Sequence, residues 1–276
     1  MCIKTLTLKD RVVECGQCAE CRIKKSREWA FRVEQEAKTA DTGAFITLTY
    51  DETHAIWIDH PETDETYTTL DKTDFQKFMK RLRFEIAKTH DVKLRYFACG
   101  EYGPATSRAH YHAIIFNIPI EYKNQETIER IWNKGFVTVL PVESKSIRYV
   151  TNYMMMKDDN LKKGQAKPFT LMSRNPGLGQ YYPYANAKTH RRTFSPLLNE
   201  ATHNQRPLPR YYAERIFPSH LQANYREMKE EYFKPFHNEQ LKKAYEEDPL
   251  DPESVIRRKK FEKLRAIRAR QKKRKL

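Results

Sequence analysis

The chain has 276 residues, 39% hydrophobic and 12% aromatic, which is enough for a sizeable core and excludes wholesale disorder. No run approaches the ~18 consecutive apolar residues of a membrane-spanning helix, and the opening "MCIKTLTLKDRVVE" lacks the apolar stretch of a secretory leader, so a cytosolic protein is expected. The formal charge of +15 suits a polyanion such as nucleic acid, yet residues 257–276 alone carry +11, so it describes a basic tail more firmly than a basic groove.

Four of the five cysteines, Cys2, Cys15, Cys18 and Cys21, lie in the first 21 residues. In a reducing compartment four such thiols read as a structural Zn²⁺ site; an iron–sulfur cluster or free thiols are the other readings of a C-x2-C-x2-C run. "ECRIKKSREWAFRVEQEAKTA" (20–40) has helical spacing, so residues 1–42 form a Cys-rich N-terminal segment and helix. A core is expected over 43–160. It opens on the strand "AFITLTY" (44–50), and the polar, acidic stretch 51–70 reads as a loop. A helix over 73–90 follows, capped by Asp71 or Thr73. Strands at 92–101 and 109–118, joined by "YGPATSR", predict an antiparallel hairpin, with Cys99 packing on its first strand. A helix over 124–133 closed by Gly135, a strand over 136–140 and a Ser-capped helix over 144–157 complete the core.

The order β-α-β-β-α-β-α is an α+β pattern. Its first six elements make the split βαβ, ferredoxin-like arrangement, with a central antiparallel sheet in which 109–118 is a buried middle strand. Residues 161–276 form a mostly helical C-terminal extension with a basic tail. Its stretch "KPFTLMSRNPGLGQYYPY" suits either base stacking or aromatic packing. Residues 220–249 read as a charged helix, and the terminal basic run as a DNA-contacting helix or a solvated tail.

In "SRAHYHAIIFNIP", His110 and His112 are i and i+2 on a strand and therefore share a face. Two satisfied sheet histidines are the plain reading. On a central strand, however, two buried imidazoles need polar partners. The hairpin returns Glu101 toward the pair, and two imidazoles with one carboxylate make an open-sided site that suits Mg²⁺ or Mn²⁺; Zn²⁺ also binds such ligands. On the helix that follows, Tyr149, Tyr153 and Lys157 fall at i, i+4 and i+8 on one stripe. Alone this is ordinary amphipathic packing. Beside a metal, a tyrosine hydroxyl can attack a phosphodiester and hold a DNA end as a phosphotyrosine ester, with the lysine positioning the phenol or balancing charge.

"FITLTY", "ACGEYG", "RAHYHAIIF" and "YVTNYMMMK" occur in the order and spacing of HUH replication endonucleases. With "CGQCAECRIKKSREWAFR", "WNKGFVTV" and "MSRNPGLG", the chain resembles the rolling-circle replication initiators of Microviridae, the gokushovirus type, over roughly residues 1–182. The resemblance implies an HUH endonuclease core with His110, His112 and Glu101 as ligands of a catalytic divalent metal, and Tyr149 and Tyr153 as paired nucleophiles. A tyrosine stands between the histidines where the family usually has a hydrophobic residue. Asn152 and Met154–Met156 flank the second tyrosine where lysines are frequent, which leaves Lys157 as the nearby lysine.

The implied activity is nicking of single-stranded DNA at a phage replication origin. One tyrosine joins the 5′-phosphate and leaves a 3′-OH for the host replication machinery, and the displaced strand is later religated. The implied location is the host bacterial cytoplasm, with no membrane partner. A plasmid relaxase or single-strand transposase shares this chemistry. A non-catalytic nucleic-acid-binding protein on an RNA-recognition-like sheet shares the topology, and a metal-dependent hydrolase without covalent catalysis is a weaker third reading.

Overall fold

Two short apolar runs, GAFITLT and AHYHAIIF, lie side by side at the centre of a five-stranded sheet. The computed structural model describes residues 2, 5–8, 11–103, 107–153, 161–198 and 206–273. In chain order these form β1 (Leu6–Leu8), β2 (Arg11–Val13), α1 (Ala19–Ala37), β3 (Gly43–Thr49), β4 (Ile56–Asp59), β5 (Thr66–Thr69) and α2 (Lys72–Ala87). There follow β6 (Arg95–Tyr102), β7 (Ala109–Phe116), α3 (Gln125–Trp132), β8 (Val137–Leu140), α4 (Ser144–Asn152) and β9 (Phe169–Met172). Helices α5 (Tyr181–Thr193), α6 (Arg210–Ile216), α7 (Gln222–Glu247) and α8 (Pro252–Lys273) complete the described elements. The chain divides into two compact units, Arg22–Tyr181 and a second that joins Met1–Cys21 to Tyr182–Leu276.

In the first unit the sheet order is β8-β3-β7-β6-β9, and every neighbouring pair is antiparallel. Strands β3, β6, β7 and β8 with helices α2 and α3 reproduce the ferredoxin-like split βαβ arrangement, so the fold is the α+β class that the pattern predicts. One sheet face presents Ile46, Leu48, Tyr111, Ala113 and Ile115 to Phe75, Phe78, Met79 and Leu82 of α2 and to Ile128, Ile131 and Trp132 of α3. Side chains of this size contribute roughly 1.5–3 kcal/mol each when fully buried. The other face presents Phe45, Phe97, Cys99, Ile114 and Phe116 to Ala30 and Val33 of α1 and to Ile147 and Val150 of α4. A buried ion pair of Arg95 with Glu36 ties α1 to β6. Both partners also hold the segment after β9, because Arg95 Nη1 donates to Pro176 O at 2.9 Å and Glu36 Oε2 accepts from Gly179 N at 2.7 Å.

Several local expectations need correction. Residues 51–70 are not simply a loop. They contain the hairpin β4–β5, paired from Ile56↔Thr69 to Asp59↔Thr66 and anchored by the buried Tyr67 ring, whose hydroxyl donates to Lys163 O. Four-residue strands set among acids carry too short an alternation to stand out. Helix α3 ends on Asn133 in the left-handed region (φ 53°), and not at Gly135. Gly135 answers a different demand, since a Cβ there would lie 2.2 Å from Asp51 N at φ +133°. Asp71 caps α2 by accepting from Thr73 N at 2.7 Å. Helix α4 starts one residue earlier than expected, with Glu143 as its N-cap and Ser146 Oγ accepting from Glu143 N at 2.9 Å. "FTLM", inside a stretch of mixed character, supplies the edge strand β9.

In the second unit β1 pairs antiparallel with β2. His190 of α5 is buried, with its Nε2 3.1 Å from Tyr182 Oη. Helices α7 and α8 meet through Glu247, which pairs with Arg258 and Lys259, so residues 252–273 of the basic run are helical. No described helix is long and apolar enough to cross a membrane.

Candidate metal and nucleophile site

Register builds the site. Across the β6–β7 ladder Glu101 stands opposite His110 and Cys99 opposite His112; across β3–β7, Thr49 stands opposite His110 and Thr47 opposite His112. Alternation then places Glu101, His110 and His112 on the sheet face covered by α1 and α4, while Tyr111 points into the opposite core. There Tyr111 Oη donates to Asp71 O at 2.7 Å and lies 2.6 Å from Tyr50 Oη. The tyrosine between the histidines therefore pins β7 to the start of α2.

Glu101 Oε1 is 3.1 Å from His110 Nε2 and 2.9 Å from His112 Nε2. All three ligand atoms lie within 4.8 Å of one another, with Glu101 and His112 buried. The far ring nitrogens explain why these atoms converge. His110 Nδ1 donates to the Arg108 carbonyl at 3.0 Å, and a carbonyl can only accept, so the neutral ring has its lone pair at Nε2. Arg108 is itself anchored, its Nε on Tyr50 O at 3.1 Å and its Nη1 on Glu52 at 2.7 Å. His112 Nδ1 lies 2.9 Å from Thr47 Oγ1. Two imidazole lone pairs and a carboxylate oxygen repel one another at these distances unless positive charge lies among them, either a divalent cation or imidazolium protons. A carboxylate with two nitrogen donors, open toward α4, fits a catalytic metal.

Helix α4 brings the tyrosines. Tyr149 Oη is 3.4 Å from both Glu101 Oε1 and His112 Nε2. The Tyr153 ring lies almost parallel to that of His112, with centroids 5.7 Å apart, and Phe45 stacks on the same imidazole at 5.8 Å. The two tyrosine rings meet edge to face at 5.1 Å. Burial, and then the Glu101 charge, push the Tyr149 phenol up to about 12; the same causes raise Tyr153 further. Between them Asn152 accepts a hydrogen bond from the buried Ser26 hydroxyl at 3.2 Å, which ties α4 to α1. Lys157 lies outside the described residues. Thr47 and the Arg108 carbonyl join the site without a sequence motif to announce them.

The second cluster brings Cys2, Cys15, Cys18 and Cys21 together, with sulfur atoms all within 4.8 Å of one another. Cys2 Sγ is 3.4 Å from Cys15 Sγ and 3.8 Å from Cys18 Sγ. Tetrahedral zinc–thiolate geometry, with bonds of about 2.3 Å, requires sulfurs about 3.8 Å apart. Gly16 at φ +71° turns the chain so that Cys18 N donates to Cys15 Sγ at 3.2 Å, while Cys15 N donates to Cys2 Sγ at 3.3 Å. The backbone N–H groups of Cys18 and Gln17 lower the Cys15 thiol to about 6. The donor set fits a thiophilic structural ion.

Residues 43–159 match the family described as replication-associated protein ORF2. The chain is 30% identical over 220 residues to replication-associated protein VP4 of Bdellovibrio phage phiMH2K, covering 72% of this chain and 66% of that protein. It is also 30% identical over 161 residues to replication-associated protein ORF2 of Spiroplasma virus 4 (52% and 48% covered). Replication-associated protein ORF4 of Chlamydia phage 1 is 24% identical over 194 residues (62% and 46%). The chain thus spans about half to two thirds of the length of these relatives. The N-terminal nuclease domain of minute virus of mice non-structural protein-1 aligns over 74% of this chain and 79% of that one, at 13% identity; its TM-score of 0.19 bears on neither fold nor mechanism. The matched segment contains Glu101, both histidines and both tyrosines, and the chain belongs to the replication-associated protein ORF2 family of phages.

Proposed function

We propose that this protein initiates rolling-circle replication by nicking single-stranded DNA at a phage origin, through a 5′-phosphotyrosine ester, and later religates the displaced strand. The observation that carries this reading is the Tyr149 hydroxyl, 3.4 Å from both Glu101 Oε1 and His112 Nε2. A phenol that touches ligand atoms is already beside any phosphate drawn to the site. Tyr149 Oη attacks the scissile phosphorus, the bond from phosphorus to the 3′ oxygen breaks, and the departing oxygen takes up a proton to become a 3′-OH. The 5′-phosphate stays on the protein as a tyrosine ester. Tyr153, one helical turn along, is the second nucleophile for the regenerated junction, after which the freed 3′-OH closes the released strand.

His110, His112 and Glu101 would hold Mg²⁺ or Mn²⁺, and the bound cation supplies charge neutralisation and polarisation of the scissile phosphate. Glu101 and the two imidazoles fix that position, while Phe45 and Tyr153 wall the His112 ring and keep it in place. Lys157 is a candidate to position a phenol or balance charge. The Cys2, Cys15, Cys18 and Cys21 cluster would hold a structural Zn²⁺. The partners on this reading are origin DNA and the host replication machinery, in the host bacterial cytoplasm.

The test is covalent capture of a single-stranded origin oligonucleotide. The Tyr149→Phe/Tyr153→Phe double variant should abolish a capture that the wild type shows with Mn²⁺. Undiminished capture by the double variant sinks the assignment of the nucleophiles. DNA binding that ignores EDTA, with no adduct at all, favours instead a non-catalytic binding protein on the same sheet.

A further inference from the structure

Both histidines present Nε2 to Glu101, but their far nitrogens are held by different kinds of group. His110 Nδ1 is fixed by a backbone carbonyl, that of Arg108, at 3.0 Å, and no substitution removes it. His112 Nδ1 faces a side chain, Thr47 Oγ1, at 2.9 Å. A hydroxyl can donate or accept, so it admits either tautomer of the ring and holds it in plane in both. Thr47 lies directly opposite His112 in the β3–β7 register. Its contact is therefore built into the sheet and does not depend on a loop.

We infer that Thr47 is a positioning residue for the metal site: by accepting the Nδ1 proton of His112 it keeps the Nε2 lone pair aimed at the position shared with Glu101 and His110. The inference rests on the metal-site reading above. Its physical basis is general, because a ligating imidazole whose other nitrogen is hydrogen-bonded is fixed in tautomer and orientation, and loss of such a partner typically lowers metal affinity about 10–100-fold. Thr47→Val keeps the shape and the β-branch and removes only the hydroxyl. An internal control lies two residues along the same strand: Thr49 is opposite His110, whose tautomer the Arg108 carbonyl already sets.

The experiment is calorimetric titration of the full-length protein with Mn²⁺ alone, alongside thermal melts without Mn²⁺ and binding of a single-stranded oligonucleotide in EDTA. Thr47→Val should bind Mn²⁺ about 10–100-fold more weakly, while Thr47→Ser should bind within about threefold of wild type. Thr49→Val should match wild type, and EDTA-resistant DNA binding should be the same in all variants. Equal loss in Thr47→Val and Thr49→Val would reduce Thr47 to ordinary strand packing and overturn the inference. Wild-type Mn²⁺ affinity in Thr47→Val would overturn it as well. Glu101→Gln separates the two levels: loss of Mn²⁺ binding there with none in Thr47→Val leaves the site reading standing without Thr47, whereas Mn²⁺ binding unchanged in Glu101→Gln removes the site reading itself.

Discussion

The chain carries two clusters of metal-ligating side chains, and they differ in donor chemistry and in closure. Cys2, Cys15, Cys18 and Cys21 offer four soft sulfurs, enough to complete a tetrahedron. Glu101, His110 and His112 offer three harder donors, with the Tyr149 hydroxyl at their open side. The first set comes from a glycine-turned segment of short sequence spacing, the second from two paired strands whose register brings residue 101 opposite residue 110. A closed thiolate set suits holding a fold together, and an open nitrogen–oxygen set suits binding a reactant. Four donors supplied by local chain and three supplied by a rigid sheet are different solutions to different tasks.

Perturbing each cluster should therefore give different losses. The largest expected effect concerns the open side. Tyr149→Phe should lower the rate of first capture by roughly 10⁴-fold or more in gel-shift assays of covalent adduct, whereas Tyr153→Phe should keep first capture and lose transfer to a second oligonucleotide. Equal losses in the two single variants would remove the distinction drawn from the hydroxyl positions. Next, Cys18→Ser should release the thiolate-bound ion, measured by metal analysis, and lower the melting temperature, because binding of structural zinc is folding free energy. Glu101→Gln should do the reverse. It should weaken Mn²⁺ binding by about a hundredfold in calorimetry and leave the metal-free melt unchanged, since a buried carboxylate among imidazoles costs stability when no cation balances it.

The smallest effect separates sulfurs within one cluster. With its thiol lowered to about 6, Cys15 is mostly thiolate at pH 7, while burial keeps Cys21 protonated. In metal-free protein iodoacetamide should label Cys15 first, read by peptide mapping, and the advantage should fade as pH falls below about 6. Labelling of Cys21 at the same rate would contradict the role given to the Cys18 and Gln17 N–H groups.

Much of this was legible in the sequence, for physical reasons that also mark where legibility ends. AFITLTY and AHYHAIIF read as strands because a run buried on both faces is apolar nearly throughout, and the order of elements then led to the ferredoxin-like sheet. Glu101 was legible once the hairpin was drawn, because a turn of fixed length returns it to His110. The hairpin β4–β5 was not, since Trp57 and Tyr67 stand in four-residue strands bordered by Asp and Glu. Strand β9 was hidden because an edge strand needs little apolar signal of its own. Thr47 reads from sequence as a residue that favours strands, and only the register shows which imidazole it meets. The Arg108 carbonyl has no sequence signal at all, since every residue carries one.

The central claim is that Tyr149, beside Glu101 and the histidines, makes a covalent bond to a DNA 5′-phosphate. It is tested most directly by incubating the full-length protein with a random single-stranded DNA pool and Mn²⁺ and mapping the adduct by peptide mass spectrometry. The expected result is an EDTA-sensitive nucleotide adduct on the peptide containing Tyr149, absent in Tyr149→Phe. DNA cleaved with no adduct on either tyrosine, or an adduct that persists in the Tyr149→Phe/Tyr153→Phe variant, would contradict it.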